Sequence, residues 1–119
     1  MSKILLVDDS PTETHQFTAM LELMGHEIIT AENGRDGVTM AIAEQPDVIL
    51  MDIVMADMNG FQATRQIARG KDTKHIPVII VSSKNQETDK VWGQRQGAKG
   101  YITKPVDTDE LISVMRACL

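Results

Sequence analysis

The sequence predicts an α/β fold, a parallel sheet doubly wound by helices on both faces. Two observations predict it. Four short runs rich in aliphatic and β-branched residues, Ile4 to Val7, Val48 to Met51, Val78 to Val81 and Tyr101 to Thr103, each stop on a charged or hydroxyl residue. Longer stretches with helical spacing lie between them. Runs that are apolar throughout, and not alternating, suit strands buried on both faces.

Each element has its own signal. Ile4-Leu5-Leu6-Val7 is the first strand and runs into Asp8-Asp9. Ser10-Pro11-Thr12-Glu13 starts the first helix, with Ser as N-cap, Pro at the first helical position and Glu three residues after the cap. Phe17, Met20, Leu21 and Met24 supply its apolar stripe. His26 to Thr30 is the weakest strand and is expected at an edge. Val38, Ala41 and Ile42 form a shorter stripe on the second helix, which ends before Pro46. Val48 to Met51 runs into Asp52, and the alternation requires a third helix after it. Val78 to Val81 runs into Ser82-Ser83. The fourth helix, Gln86 to Gln96, has only Val91 and Trp92 as large apolar anchors, and Gly97 follows it. Gly93 inside it costs about 1 kcal/mol relative to Ala, so this helix is expected to be the most mobile element. Tyr101-Ile102-Thr103 runs into Lys104-Pro105, and Leu111, Val114, Met115 and Cys118 stripe the last helix. The order is βαβαβαβαβα, a single (βα)5 domain over 1–119.

Composition narrows the function. The 119 residues suit one domain. With 42% hydrophobic but only 3% aromatic residues, the core must be aliphatic, with the eight methionines filling gaps. A net charge of -5 argues against binding to nucleic acid or to anionic membrane. No stretch approaches membrane-spanning length, and no signal-peptide core is present. The single cysteine, Cys118, excludes an intramolecular disulfide and lies on an apolar stripe, so it reads as structural. A cytoplasmic setting is expected. His15, His26 and His75 are scattered, with surface placement and no metal-ligating spacing.

Open α/β sheets place their working site beyond the carboxyl ends of the strands. Asp8, Asp9, Asp52, Ser82 and Lys104 should therefore meet in one crevice. Each has an ordinary reading alone: Asp8 and Asp9 as partners of a helix dipole, Asp52 as an N-cap, Lys104 as a surface lysine. Together they do not. Like charges about 5 Å apart repel by roughly 3 kcal/mol at an effective dielectric near 20, so the cluster needs a cation. Hard oxygens without Cys or His favour Mg²⁺, which retains waters that phosphate oxygens can replace. Lys104 suits a phosphoryl oxygen. Ser82 suits the same role, with Ser83 the competing choice.

These residues identify a resemblance over the full length. The chain resembles the receiver domains of two-component response regulators, through Asp8-Asp9, Asp52, Ser82 and Lys104-Pro105 at strand ends. The segment Leu50-Met51-Asp52-Ile53-Val54-Met55-Ala56-Asp57-Met58-Asn59-Gly60 is similar to the family's phosphoacceptor loop. The resemblance implies a flavodoxin-like sheet of order 2-1-3-4-5. It implies Asp52 as phosphoacceptor, with Mg²⁺ held by Asp9, Asp52 and the Val54 carbonyl, and by Asp8 mostly through water. It implies Ser82 and Lys104 on the phosphoryl group, Tyr101 as switch aromatic and a cis Lys104-Pro105 peptide. Ala56 departs from the family's Pro and should loosen the loop. Ser10 to Glu13, Asn59 to Arg65 and Gln86 to Gly93 also look like the stand-alone receivers of the pilus chemosensory system, the PilH type, which act in twitching motility.

The expected function is that of a stand-alone response regulator. A histidine kinase donates the phosphoryl group to Asp52, and a downstream protein reads the face of the fourth helix, fifth strand and fifth helix. With Leu119 one helix beyond the site, no output domain is expected. The alternatives are a phosphate sink draining a shared kinase, a degenerate interaction module, and an Asp-nucleophile phosphatase. The phosphatase pattern needs a second Asp where Val54 stands, and the intact acidic set argues against degeneracy. The chain is expected to catalyse only its own phosphorylation and dephosphorylation.

Overall fold

Over residues 2–119, which the computed structural model describes, five strands alternate with five helices. These are β1 (Lys3–Val7), α1 (Pro11–Leu23), β2 (Glu27–Ala31), α2 (Gly34–Glu44), β3 (Val48–Met51), α3 (Gly60–Arg69), β4 (Val78–Ser82), α4 (Glu87–Arg95), β5 (Gly100–Thr103) and α5 (Thr108–Cys118). All neighbouring strands are parallel, in the order β2-β1-β3-β4-β5. The expected order and the edge position of the second strand are both present. Its span is shifted by one residue, because pairing with β1 runs from Lys3 opposite Glu27 to Val7 opposite Ala31.

Alternate residues of the strands feed two cores. Ile4, Leu6, Val48, Leu50, Ile79, Val81 and Ile102 pack with Phe17 and Leu21 of α1 and Leu111 and Met115 of α5. Leu5, Val7, Ile49, Met51 and Val78 pack on the other face with Ala41 of α2 and Ala63 and Ile67 of α3. Each fully buried aliphatic side chain contributes roughly 1.5–3 kcal/mol, so the wholly apolar strands provide most of the driving force.

The helix starts follow their caps. Ser10, Asn33, Asn59 and Asp107 each accept a hydrogen bond from a backbone N–H of the first turn. Each such cap contributes about 1 kcal/mol.

Two helices differ from expectation for one reason. On α2, Ile42 is exposed, and the buried face consists of Gly34, Gly37 and Ala41. On α4, Val91 and Trp92 are 40% and 48% exposed, and the buried residue is Gly93. A Cβ at Gly93 would lie 2.8 Å from Ile80 Cδ1, and one at Gly37 would lie 2.9 Å from Val7 Cγ2. Both helices approach the sheet so closely that the contact residue is the one without a side chain. Val91 and Trp92 therefore do not anchor α4. His26 is half-buried, and its Nδ1 accepts from the Ser2 N–H at 3.2 Å, whereas His15 and His75 are exposed. Of the methionines, Met51 and Met115 are fully in the core.

Candidate functional site

The sheet itself positions the site residues. One residue beyond each strand, the backbone makes a further cross-strand bond: Asp8 N–H to Ala31 O at 3.1 Å, Asp52 N–H to Val7 O at 2.9 Å, Lys104 N–H to Ser82 O at 2.8 Å. Asp8, Asp52 and Lys104 are thus fixed at the carboxyl ends of their strands. Carboxylate oxygens of Asp8, Asp9 and Asp52 lie within 4.8 Å of one another. Asp8 and Asp52 are buried, and Asp9 is exposed.

Lys104 neutralises part of this charge. Its Nζ lies 3.5 Å from Asp8 Oδ2 and 3.5 Å from Asp52 Oδ1. It is nearer to a residue that the sequence reading used only as a helix start: Glu13, whose two oxygens lie 3.0 and 3.1 Å away. Only half of a capping box forms. Ser10 Oγ accepts from the Glu13 N–H at 3.3 Å, but the Ser10 N–H donates to Asp8 Oδ1 at 2.9 Å and not to Glu13. Asp8 takes the bond that Glu13 would have accepted, and the Glu13 carboxylate is released to Lys104. A pair separated by 91 residues leaves no local signal; the acidic residue one turn into the helix after Asp8-Asp9 was the only hint.

Burial dominates the ionisation of the site. It pushes the Asp52 carboxyl up to about 6, opposed by the Lys104 ammonium and reinforced by the charge of Asp8. Burial also raises Asp8, against the Ser10 N–H and Lys104. Burial disfavours the Lys104 ammonium, but Glu13, Asp52 and Asp8 together outweigh it and hold its pKa above the usual value.

Above the carboxylates is an open cleft of about 560 Å³, lined by Asp9, Glu13, Asp52, Val54, Ser83, Lys104 and Pro105. Ser83 faces this cleft, whereas Ser82 is buried and its Oγ accepts from the Lys84 N–H at 3.2 Å. Tyr101 does not line this cleft. It is half-buried on β5, burial raises its phenol pKa, and its Oη donates to the Lys84 carbonyl at 2.6 Å. The Lys104-Pro105 peptide is cis, as the resemblance implied.

Gly60, at the start of α3, packs against the backbone of Asp52 and Ile53. Its N–H donates to Ile53 O at 2.9 Å, and a Cβ there would run into the carbonyl of Asp52. The intervening loop turns at Asp57, in the left-handed region with φ 66°, a conformation Asp tolerates better than most residues.

The donor set fits a hard divalent cation. All three groups are carboxylates, with no thiol or imidazole among them. Both Asp8 oxygens are engaged, Oδ1 by the Ser10 N–H and Oδ2 by Lys104, whereas Lys104 faces Oδ1 of Asp52, so Asp9 and Asp52 have the freer oxygens. No helix among the described residues is long and apolar enough to cross a membrane.

The chain is similar to several known proteins in sequence and in fold. Against Protein PilH of Pseudomonas aeruginosa the chain is 60% identical over 119 residues, 100% of this chain and 98% of that protein. It is 34% identical over 119 residues to RpaA, a DNA-binding dual master transcriptional regulator of Synechocystis, of which it spans 49%. The chemotaxis protein CheY4 of Vibrio cholerae superposes with a TM-score of 0.92 at 28% identity, covering 100% of this chain and 99% of that one. The receiver domain of sensor histidine kinase PA1611 from Pseudomonas aeruginosa, solved with a magnesium ion coordinated in its active site cleft, gives 0.89 at 28% identity over 98% and 95% of the two chains. Residues 4–116 match the family described as the response regulator receiver domain, and the chain belongs to that family.

Proposed function

We propose that this receiver accepts a phosphoryl group from a histidine kinase onto Asp52 and thereby changes what binds the face of α4, β5 and α5. One observation carries the reading. Asp52 is a buried carboxylate at the end of a central strand, with an ammonium at 3.5 Å and an open cleft above it.

In the transfer, an Asp52 oxygen attacks the phosphorus of phosphohistidine in line. The P–O bond forms, the P–N bond breaks, and the imidazole leaves and takes up a proton. Lys104 Nζ offsets charge developing on the transferred oxygens. Such catalysis is mostly positioning and electrostatics. Asp9 and Asp52, with Asp8 behind them, would hold Mg²⁺, which supplies further positive charge at the same oxygens. The Val54 carbonyl is the remaining candidate ligand. The acyl phosphate adds up to about two negative charges, and Ser82 and Tyr101 are the residues proposed to respond, through the loop that leads into α4.

The identity with PilH over nearly all of that protein supports a role in pilus chemosensory signalling and twitching motility, in the cytoplasm. Phosphotransfer from candidate kinases, followed by phosphopeptide mapping, tests the acceptor. An Asp52→Asn variant that took up phosphate as the wild type does would refute it. A phosphorylated form that binds no partner but drains phosphate from the kinase would make the chain a sink.

A further inference from the structure

We propose that Glu13 is a positioning residue of this site, a latch that shares the Lys104 ammonium with the phosphoacceptor at rest, draws it toward itself and so limits phosphoryl uptake. The proposal rests on the reading of Asp52 as acceptor and adds a residue to that site.

The geometry is asymmetric. The ammonium lies between both oxygens of Glu13, at 3.0 and 3.1 Å, and only at 3.5 Å from Asp8 and from Asp52. An ordinary surface ion pair has little effect, because solvent competes and both side chains roam. This pair is different on one side. The Lys104 side chain is only 15% exposed and is hemmed in by two further carboxylates. Glu13 is more open, its side chain 38% exposed, but Ser10 caps its N–H and Asp8 occupies the Ser10 N–H that would otherwise draw the Glu13 carboxylate away from Lys104. Glu13 and Lys104 line the same cleft as Asp52.

A phosphoryl group arriving on Asp52 must compete with Glu13 for this one ammonium. The stronger the Glu13 contact, the smaller the share of Lys104 available to the transition state. Removing the Glu13 charge while keeping its shape should therefore speed uptake, and should do so only through Lys104.

The test uses the intact chain with saturating Mg²⁺ and acetyl phosphate. The phosphorus–oxygen bond to acetate breaks, a bond to an Asp52 oxygen forms, and acetate leaves. Initial rates are compared for wild type, Glu13→Gln, Lys104→Ala and the double variant. Glu13→Gln should be about fivefold faster than wild type, equivalent to about 1 kcal/mol of barrier. Its melting temperature should fall only modestly, since the Lys104 contact is lost while repulsion from Asp8 and Asp52 is relieved and Gln also suits the third position of a helix. In the Lys104→Ala background the same substitution should change the rate by less than about twofold. Equal acceleration in both backgrounds would mean that Glu13 merely repels the anionic donor, and would overturn the latch. So would an unchanged or slower Glu13→Gln. Failure of the acceptor assignment looks different, because Asp52→Asn would then be phosphorylated.

Discussion

Tyr101 Oη donates to the carbonyl oxygen of Lys84 at 2.6 Å, tying β5 to the loop that leads from β4 into α4. The Ser82 hydroxyl accepts from the N–H of the same Lys84, so one peptide segment is held by two side chains from adjacent strands. Tyr101→Phe keeps the ring and removes one of these ties. It should lower stability by about 1 kcal/mol and speed amide exchange from Lys84 to Gln86. Exchange as slow as in wild type would show that the bond does not hold this loop.

From the sequence, Gly93 counts only as a cost to the fourth helix relative to Ala. Its burial against Ile80 reverses that expectation. The helix-propensity gain of about 1 kcal/mol now opposes crowding that typically costs about 1–3 kcal/mol. Ile80 Cδ1 can turn aside, so a net loss of about 1 kcal/mol is expected in urea melts. Trp92, on the exposed side of α4, reports the same transition by fluorescence.

Metal-free protein should lose stability as pH rises from about 4 to about 6. The Asp52 carboxyl has its pKa raised from 3.8 to about 6 on folding. Through that window the folded chain keeps a proton that the unfolded chain has released, so acid favours the fold. The full effect is at most about 3 kcal/mol, and Asp8, also raised by burial, adds in the same direction. Thermal melts across this range should slope downward in wild type and flatten in Asp52→Asn. Parallel slopes would place the titration elsewhere.

Asp9→Asn should cost less than about 0.5 kcal/mol without metal, because the side chain is exposed. It should nonetheless abolish most of the stabilisation that saturating Mg²⁺ confers on wild type. Full retention of the Mg²⁺ effect would remove Asp9 from the ligand set.

Gly60→Ala should be far worse than either. The new methyl would meet the backbone of Asp52 and Ile53, not a flexible side chain. A loss of about 3 kcal/mol or more is expected, with phosphoryl uptake falling even in the fraction that folds.

The strands and their chemistry were legible because both are local. An apolar run ending in Asp marks a strand and a site residue together, and Val7-Asp8 and Met51-Asp52 both read that way. What escaped was of two kinds. Gly37 and Gly93 carry no hydrophobic signal, yet mark the closest approaches of helix to sheet, so stripes drawn from Ile42, Val91 and Trp92 pointed the wrong way. Glu13 escaped because its local signal, three residues after an N-cap, had a sufficient local explanation. Only the fold brings Lys104 within reach of it.

The paired ends of β1 and β3 have a consequence for how the chain aligns itself. Every residue of β3 is apolar and buried, and so are four of the five in β1. Alternation, which normally forbids a strand from sliding by one position, has nothing to act on here. The stops are at the ends. Asp47 enters just before β3, bonded through its N–H and its carboxylate to Lys3, and Asp52 follows just after it. A slip in either direction would drag one of these carboxylates between hydrophobic strands. The aspartate proposed to carry phosphate is thus also a ruler mark that tells the strand where to end, and an apolar substitution there would erase both a nucleophile and a coordinate.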